Sequence, residues 1–304
     1  MMTASIPINR KNVAHLSERA QIRRGWISDL VWSPNGKSLA LASADGITFH
    51  STDNLSVLGT LEGHTAPVKS IAVNQAGTLL ASGSADTTVR LWNLAAGGKS
   101  TVLNGHTDAV DVVALSPDGT LLASAGADQT VRLWTTESAT ARMVLRGHID
   151  EIESLTFALG GELLISGGRD HTIHVWDVQN GDIQAVLRHE DWVRHITISH
   201  NQTLLASAGK DGTVCLWDVQ AGTQTTRMDA HIGGADAVAF SPDGTLLATS
   251  GRDMAIRFWS IPDGALIHTI RAHEKPVLAL AFNPDGTLLA TGSGDNSLRL
   301  WSIP

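Results

Sequence analysis

The stretch LLASAGADQTVRLW, Leu121 to Trp134, places a tryptophan six residues after an aspartate, and five other stretches of the 304-residue chain do the same. A histidine precedes each of these aspartates by 22 residues, and a serine or threonine follows each histidine by 18. The histidines recur every 41 or 42 residues, which indicates a chain built from copies of one unit. The six sets are His64, Ser82, Asp86 and Trp92; His106, Ser124, Asp128 and Trp134; His148, Ser166, Asp170 and Trp176; His189, Ser207, Asp211 and Trp217; His231, Thr249, Asp253 and Trp259; His273, Thr291, Asp295 and Trp301.

The local chemistry of each copy predicts β-structure. Tight-turn sequences such as SPDG at 116–119 and 241–244 place proline where a turn needs a fixed φ and glycine where it needs a positive φ. Each turn precedes an apolar run such as TLLAS and then a run such as TVRLW, in which apolar residues alternate. About four short strands per copy make a sheet too small to be stable alone, so neighbouring sheets must stack.

These residues resemble the WD-repeat β-propeller family, and the resemblance covers roughly residues 17–304. It implies an all-β fold in which four-stranded antiparallel blades form a closed ring. An irregular copy at residues 25–52 adds a seventh blade, with Arg23, Leu41 and His50 at the histidine, serine and tryptophan positions. The regular copies and the lack of an appended domain resemble free-standing bacterial propellers, but a module cut from a longer protein would look the same.

We therefore predict a single domain over residues 1–304 that is a seven-bladed β-propeller. The approximate blades are 25–61, 66–104, 108–146, 150–187, 191–229, 233–271 and 275–304 plus 17–22, after a lead segment at 1–16. The last copy ends after its third strand, and the family usually supplies the fourth from the N-terminus. We expect residues near Ser17–Ile22 to pair with the strand around Ser297–Trp301 and so close the ring. Residues Met1–Asn12 are expected to be unstructured.

Serine, histidine and aspartate are the parts of a hydrolase triad, but six equivalent copies argue against six active sites. The family resemblance implies that each set is a buried hydrogen-bond chain that runs through indole, hydroxyl, imidazole and carboxylate. We expect the aspartates to be ionised. The first blade lacks the set, which predicts that it opens first when the ring frays.

Composition excludes several functions. The net charge of −8 and the absence of a Lys/Arg-rich block disfavour nucleic-acid binding. No apolar run is long enough to span a membrane and no signal peptide is recognisable, so we expect a cytoplasmic protein with no membrane partner. The remaining histidines have no evident partners for a metal site, and we predict neither a metal nor a cofactor. A closed ring leaves no edge to recruit a second copy, so we expect a monomer.

The family resemblance implies that the residues three and five positions after the histidine, and the residue before the aspartate, point to one rim of the ring, the top face. Charged and aromatic side chains at these positions concentrate in blades four to six, around Trp192. Aromatic residues and arginine are enriched at interface hot spots. The predicted protein-binding residues are Trp26, Lys69, Asp111, Glu151, Glu153, Arg169, Trp192, Arg194, Lys210, Asp236 and Arg252.

We predict a non-catalytic scaffold that binds a peptide or protein on this face, with a partner that presents both charge signs beside an apolar anchor. One alternative is an ordinary solvated rim on which Trp192 covers the mouth of the central channel. Another is a propeller enzyme, a hydrolase or lyase with its site at the central channel. The copies carry no additional acid/base pair and no insertion that could form a lid, so we expect no enzyme activity.

Overall fold

The computed structural model describes residues 6–304, which form seven four-stranded antiparallel sheets arranged as a propeller. The predicted fold class and the number of blades are confirmed. Blade 1 contains β2 (Ile27–Trp32), β3 (Ser38–Ser43), β4 (Gly46–Ser51) and β5 (Val57–Leu61); blade 2, β6 (Val68–Val73), β7 (Leu79–Ser84), β8 (Val89–Asn93) and β9 (Lys99–Leu103); blade 3, β10 (Val110–Leu115), β11 (Leu121–Gly126), β12 (Thr130–Thr135) and β13 (Thr140–Arg146); blade 4, β14 (Ile152–Ala158), β15 (Leu163–Gly168), β16 (Thr172–Asp177) and β17 (Ile183–Arg188).

The remaining blades repeat this order. Blade 5 contains β18 (Val193–Ile198), β19 (Leu204–Gly209), β20 (Thr213–Asp218) and β21 (Thr223–Asp229); blade 6, β22 (Ala235–Phe240), β23 (Leu246–Gly251), β24 (Ala255–Ser260) and β25 (Leu266–Arg271); blade 7, β26 (Val277–Phe282), β27 (Leu289–Ser293), β28 (Ser297–Ser302) and β1 (Ser17–Arg23). Single 3₁₀ turns at Val13–His15, Leu94–Ala96 and Leu159–Gly161 are the helices of the described residues, and none could span a bilayer.

The first strand closes the ring, as predicted. β1 pairs antiparallel with β28, from Ser17 opposite Ser302 to Arg23 opposite Ser297. An ion pair of 2.9 Å between Arg299 and Glu18 lies across the same pairing. The last blade therefore does not end in an exposed edge, because its fourth strand comes from the other end of the chain.

The four strands of a blade alternate in direction, which sorts the connections onto two faces. The loop before each innermost strand and the turn between the second and third strands lie on the top face. The turns that join the first strand to the second and the third strand to the fourth lie on the opposite, bottom face. Between the two faces, apolar side chains of adjacent blades pack against one another and form seven hydrophobic clusters, which are the core.

The lead segment differs from its prediction. Residues 1–5 lie outside the described residues, but the expected lack of structure is wrong for residues 6–12. Ile8 is only 1% exposed, its backbone N–H donates to the Gly286 carbonyl at 2.8 Å, and it packs with Val13 and Leu16 between blades 6 and 7. The segment buries aliphatic side chains that the repeat pattern could not place, because it has no counterpart in the other copies.

The hydrogen-bond chain is complete in five blades. In blade 3 the Trp134 indole N–H donates to Ser124 Oγ at 2.8 Å, His106 Nε2 lies 2.7 Å from that oxygen, and His106 Nδ1 lies 2.9 Å from Asp128. Blades 2, 4, 6 and 7 repeat these contacts. Each chain links the loop that carries the histidine to the interior of its own blade.

The aspartates of these chains are held ionised. Burial of Asp86 alone would raise its pKa, but hydrogen bonds from Thr88, the Thr65 amide and His64 hold the pKa of this carboxyl below its usual range. The same balance lowers the pKa of Asp295 to about 2. The carboxylates therefore act as charged acceptors for both the imidazole and the turn amides, as expected from the sequence.

Blade 5 departs from the predicted pattern. Its Trp217 indole still donates to Ser207 at 2.8 Å, but neither ring nitrogen of His189 has a hydrogen-bond partner among the described residues. The Asp211 carboxylate accepts from the Thr213 hydroxyl, at 2.9 and 3.0 Å, as the aspartates of blades 2 to 4 also do from the equivalent threonine. Burial lowers the pKa of His189, so this imidazole is neutral as well as unpaired.

Blade 1 has a substitute for the missing chain. His50 stands at the tryptophan position, is fully buried, and has Nδ1 3.0 Å from the Leu55 carbonyl and Nε2 3.0 Å from the Thr48 hydroxyl. These contacts hold the third strand to the turn that follows it on the bottom face. They do not reach the top-face loop, so the prediction that blade 1 opens first remains to be tested.

Candidate interaction surface

A backbone hydrogen bond brings two of the three top-face positions together in each regular blade. The amide of the residue before the network aspartate donates to the carbonyl of the residue three after the histidine. In blade 5 this bond joins Lys210 to Trp192 at 2.9 Å, and in blade 4 it joins Arg169 to Glu151 at 2.8 Å. The pairs of positions that sequence reasoning assigned to one rim are therefore neighbours.

The third position, five residues after the histidine, is a β-bulge in every blade. Pairing between the first two strands shifts register at this point, for example between Val110 and Val112, so that Asp111 faces no partner residue. A bulge redirects the side chain of the extra residue. The seven bulged residues line the mouth of a central channel of about 360 Å³: Ser28, Lys69, Asp111, Glu153, Arg194, Asp236 and Leu278.

Trp192 is half-buried between two cations. The Lys210 ammonium lies 3.6 Å and the Arg169 guanidinium 4.7 Å from the centroid of the Trp192 ring. Cation–π contacts of this kind are worth about 0.5–2 kcal/mol, depending on desolvation. Trp192 is not among the described residues that line the channel.

Ion pairs connect the other charged side chains of blades 4 to 6. Arg169 lies 2.7 Å from Glu151 and 2.6 Å from Glu153. The Asp236 carboxylate lies 2.6 Å from Arg194 and 3.0 Å from the Arg252 Nε atom. The pairs of Arg169 are partly exposed and stabilise the fold little, whereas the Arg194–Asp236 pair is largely buried. All of them hold the side chains in fixed positions before any partner binds.

Gly234 leaves room for the ion pair between Arg194 and Asp236. Its φ of 128° is in the region that favours glycine, and a Cβ at this position would lie 2.7 Å from the Arg194 guanidinium. A larger residue at 234 would push the arginine away from Asp236.

Asp111 has no ion-pair partner within 4 Å among the described residues. Burial, with smaller contributions from the nearby Glu151 and Glu153, raises the pKa of its carboxyl to about 6 against the opposing charges of Lys69 and Arg169. A carboxylate in this state gains more from a cationic ligand than one that is already paired. Lys69 is exposed at the adjacent position of the mouth.

Exposed apolar side chains surround the charged residues. Trp26 is 54% exposed and lies beside Gly294 of the neighbouring blade. Ile149 and Ile232 are 81% and 83% exposed, each directly after the network histidine of its blade, on either side of blade 5. Sequence reasoning missed both isoleucines. Their signal was available, because the same position holds threonine, glutamate or arginine in the other copies.

The repeated hydroxyl–histidine–aspartate contacts of blades 2, 3, 4, 6 and 7 do not make these sets active sites. In blade 3 the distances match those of a catalytic triad, but Ser124 is 0% exposed and its oxygen already accepts the indole N–H. A substrate carbonyl cannot reach this hydroxyl. The buried sets therefore hold the loops in place and perform no acyl transfer.

One histidine cluster has the composition of a metal site. Ligand atoms of His148, Asp170 and His174 lie within 4.8 Å of one another, a proximity that sequence reasoning missed because His174 stands where four other blades have arginine. The two imidazoles are stacked with centroids 4.0 Å apart, and both nitrogens of His148 are already bonded. Imidazole lone pairs lie in the ring plane, so stacked rings cannot both point at one ion.

The His174 ring is instead part of the packing. Burial and the neighbouring His148 lower the pKa of His174 to about 4, which keeps it neutral at physiological pH. The cluster replaces the arginine of other blades with a second aromatic ring beside Trp176.

A family model described as "WD domain, G-beta repeat" matches six segments of the chain. The matched residues are 55–93, 97–135, 140–177, 181–218, 222–260 and 264–302. Each segment starts at the outer strand of one blade and ends with the third strand of the next. The irregular first blade precedes the first match.

Individual relatives align over shorter stretches. The chain is 36% identical over 90 residues to the COMPASS component SWD3 of Saccharomyces cerevisiae, which covers 30% of this chain and 28% of that protein. It is 36% identical over 87 residues to the small ribosomal subunit protein RACK1z of Arabidopsis thaliana, covering 28% of this chain and 27% of that protein. The alignments thus span under a third of the length of either relative.

Proposed function

Because the chain belongs to the WD40 repeat family, we propose that it is a non-catalytic scaffold that binds a peptide or protein on its top face. The observation that carries this proposal is the fixed arrangement around Trp192, with Lys210 and Arg169 against the ring and paired carboxylates behind them. A binding surface that is ordered in advance loses less side-chain entropy when its partner arrives.

The chemistry of the surface defines the partner. Trp192, Ile149 and Ile232 offer apolar contact, while Asp111 offers an unpaired carboxylate at the channel mouth. A complementary partner places an apolar anchor between the two isoleucines and a cationic group over the channel. Acidic groups of the partner would then face Arg252 and Lys210 at the rim.

The relatives support the choice of a protein partner. One is named as a component of COMPASS and the other as a small ribosomal subunit protein, so both names place the protein in an assembly. A phosphate backbone is attracted to a surface of unpaired cations, whereas Arg169, Arg194, Arg252 and Lys210 each already contact a carboxylate or an aromatic ring.

The test is affinity purification with three forms of the full chain. The wild type is compared with a top-face variant, Trp192→Ala/Lys210→Ala, and with a control variant on the exposed outer strand of blade 3, Thr140→Ala/Arg142→Ala. We expect one or more proteins to be retained by the wild type and by the control but lost from the top-face variant. Retention of the same proteins by all three forms would exclude this face, and turnover of ester, phosphate or peptide substrates would favour the enzyme alternative.

A further inference from the structure

Blades 1 and 2 enclose an empty apolar groove on the bottom face. The cavity has a volume of about 430 Å³, and its walls include Phe49 and Leu58 of blade 1 and Leu80 and Leu94 of blade 2. Leu58 is 61% exposed and Phe49 is partly exposed. The residue at the position of Phe49 in the third strand is buried in each of the other six blades. We call this cavity the 1–2 groove.

Glycine in the outer strand of blade 1 widens the groove, at a position where blade 6 has His268. Gly59 pairs with Phe49, and a Cβ on it would meet nothing within 4 Å. The corresponding residue of blade 3 is Met143, which fills the space so closely that a Cβ on Gly181 of the next blade would lie 2.5 Å from its sulfur. The other blades also have a side chain at this position.

The corresponding groove between blades 6 and 7 is filled by this chain's own N-terminal segment. Ile8 and its neighbours pack there among side chains that stand where the 1–2 groove has its walls. The register of the strands gives the correspondence: Phe258, Ile267 and Leu289 match Phe49, Leu58 and Leu80. Phe258 is 0% exposed beneath the segment, whereas Phe49 is open to solvent.

The polar anchors of the segment also have counterparts. The Ile8 amide donates to the Gly286 carbonyl in the first turn of blade 7, and Gly77 holds the same place in blade 2. Arg10 lies 3.7 Å from Asp263 in the second bottom turn of blade 6. In the corresponding turn of blade 1 the register aligns Asn54 with Asp263, and the exposed Asp53 precedes it.

From these matches we infer that the 1–2 groove binds an extended segment of a partner protein with the pattern proline, aliphatic residue, any residue, basic residue. The aliphatic side chain packs against Phe49 in the space beside Gly59, its amide bonds to the Gly77 carbonyl, and the basic residue lies near Asp53. The chain itself provides the example, since residues 7–10 read Pro-Ile-Asn-Arg. This site is on the opposite face from the proposed top-face site, so the chain can hold two partners at once.

The experiment uses the full chain and a fluorescein-labelled synthetic peptide with the sequence SIPINRKNVA, that of residues 5–14. We expect saturable binding by fluorescence anisotropy. Gly59→Met, which copies the side chain of blade 3, should weaken binding about tenfold or more, as should replacement of the peptide's second isoleucine by aspartate. Thr101→Met, at the corresponding position of blade 2, should bind like the wild type.

A second variant, Leu58→Asp, tests the groove independently in case Gly59→Met misfolds. Leu58→Asp changes an exposed side chain at the groove wall and should also abolish binding, with an unchanged circular dichroism spectrum. Equal binding to the wild type and to Gly59→Met would place the peptide elsewhere, such as in the 6–7 groove by displacement, and would overturn the inference. So would the absence of binding to the wild type. Concentration-dependent self-association that Gly59→Met abolishes would assign the groove to a second copy of the chain and also refute a separate partner.

Discussion

The hydrogen-bond chains make a quantitative prediction, because one blade lacks half of its chain. Replacing Ser124 with alanine in blade 3 removes the oxygen that accepts the Trp134 indole N–H and that bonds to His106. Replacing Ser207 with alanine in blade 5 removes only the acceptor of an indole N–H, since His189 is unbonded. Both serines are 0% exposed, so water cannot take the place of either.

The expected magnitudes follow from the number of groups left without partners. An unsatisfied buried donor or acceptor costs about 1–3 kcal/mol. Ser124→Ala leaves two such groups and should lower the free energy of unfolding by about 2–6 kcal/mol, whereas Ser207→Ala leaves one and should cost about 1–3 kcal/mol. Loss of the hydroxyl itself leaves the same small void in both blades, so the difference reports the imidazole bond alone.

The measurement is urea unfolding of both variants and the wild type, followed by circular dichroism and tryptophan fluorescence. Coincident transitions by the two probes are needed before free energies are compared. We expect the Ser124→Ala midpoint to lie clearly below that of Ser207→Ala. Equal midpoints would show that the histidine contributes nothing through its serine, and the account of the chain as a loop anchor would fail.

Three further predictions concern other parts of the fold. Burial raises the pKa of Asp29 to about 6, so ionisation of this carboxyl disfavours the folded state as the pH rises from about 4 through 6. Asp29→Ser should therefore gain about 2 kcal/mol relative to the wild type between pH 4 and pH 7 in unfolding measurements, and a pH-independent difference would contradict the shift. Ile8→Ala should cost about 2–5 kcal/mol, whereas the exposed Ile6→Ala should be neutral in the same assay. For a partner that places a cation over Asp111, affinity should fall as pH drops below about 6, and Asp111→Asn should remove that dependence in titrations at several pH values.

The repeated elements of the fold were predictable because six copies have the same spacing of histidine, serine or threonine, aspartate and tryptophan. A spacing that holds in every copy predicts a contact in every blade, and ring closure by Ser17–Ile22 follows from counting strands. The segment around Ile8 could not be placed in this way, since it occurs once and its aliphatic residues match no repeat position. Its docking depends on the surface of blades 6 and 7, which only the folded ring presents.

The site was predictable by position but not by contact. The alignment of copies assigned Trp192, Lys210 and Arg169 to one rim, and the bond between the two loops explains why. Which charges pair depends on side-chain reach across blades, as in the Arg194–Asp236 contact, and this is not encoded in spacing. The unbonded His189 was likewise invisible, because its spacing is identical to that of the five histidines that do form the bond.

The unbonded His189 lies in the blade that carries Trp192, the central residue of the proposed binding surface. In five blades the histidine ties the top-face loop to the sheet, so the residues that follow can vary without loss of the fold. In blade 5 this tie is absent. The loop that carries Trp192 keeps the backbone bond to Lys210 that the other regular blades share, and the two cations against the ring add to it. Binding sites often sacrifice a local stabilising rule that the rest of the structure obeys. Among the six regular blades, the loop that lacks the histidine tie is therefore the one that carries Trp192.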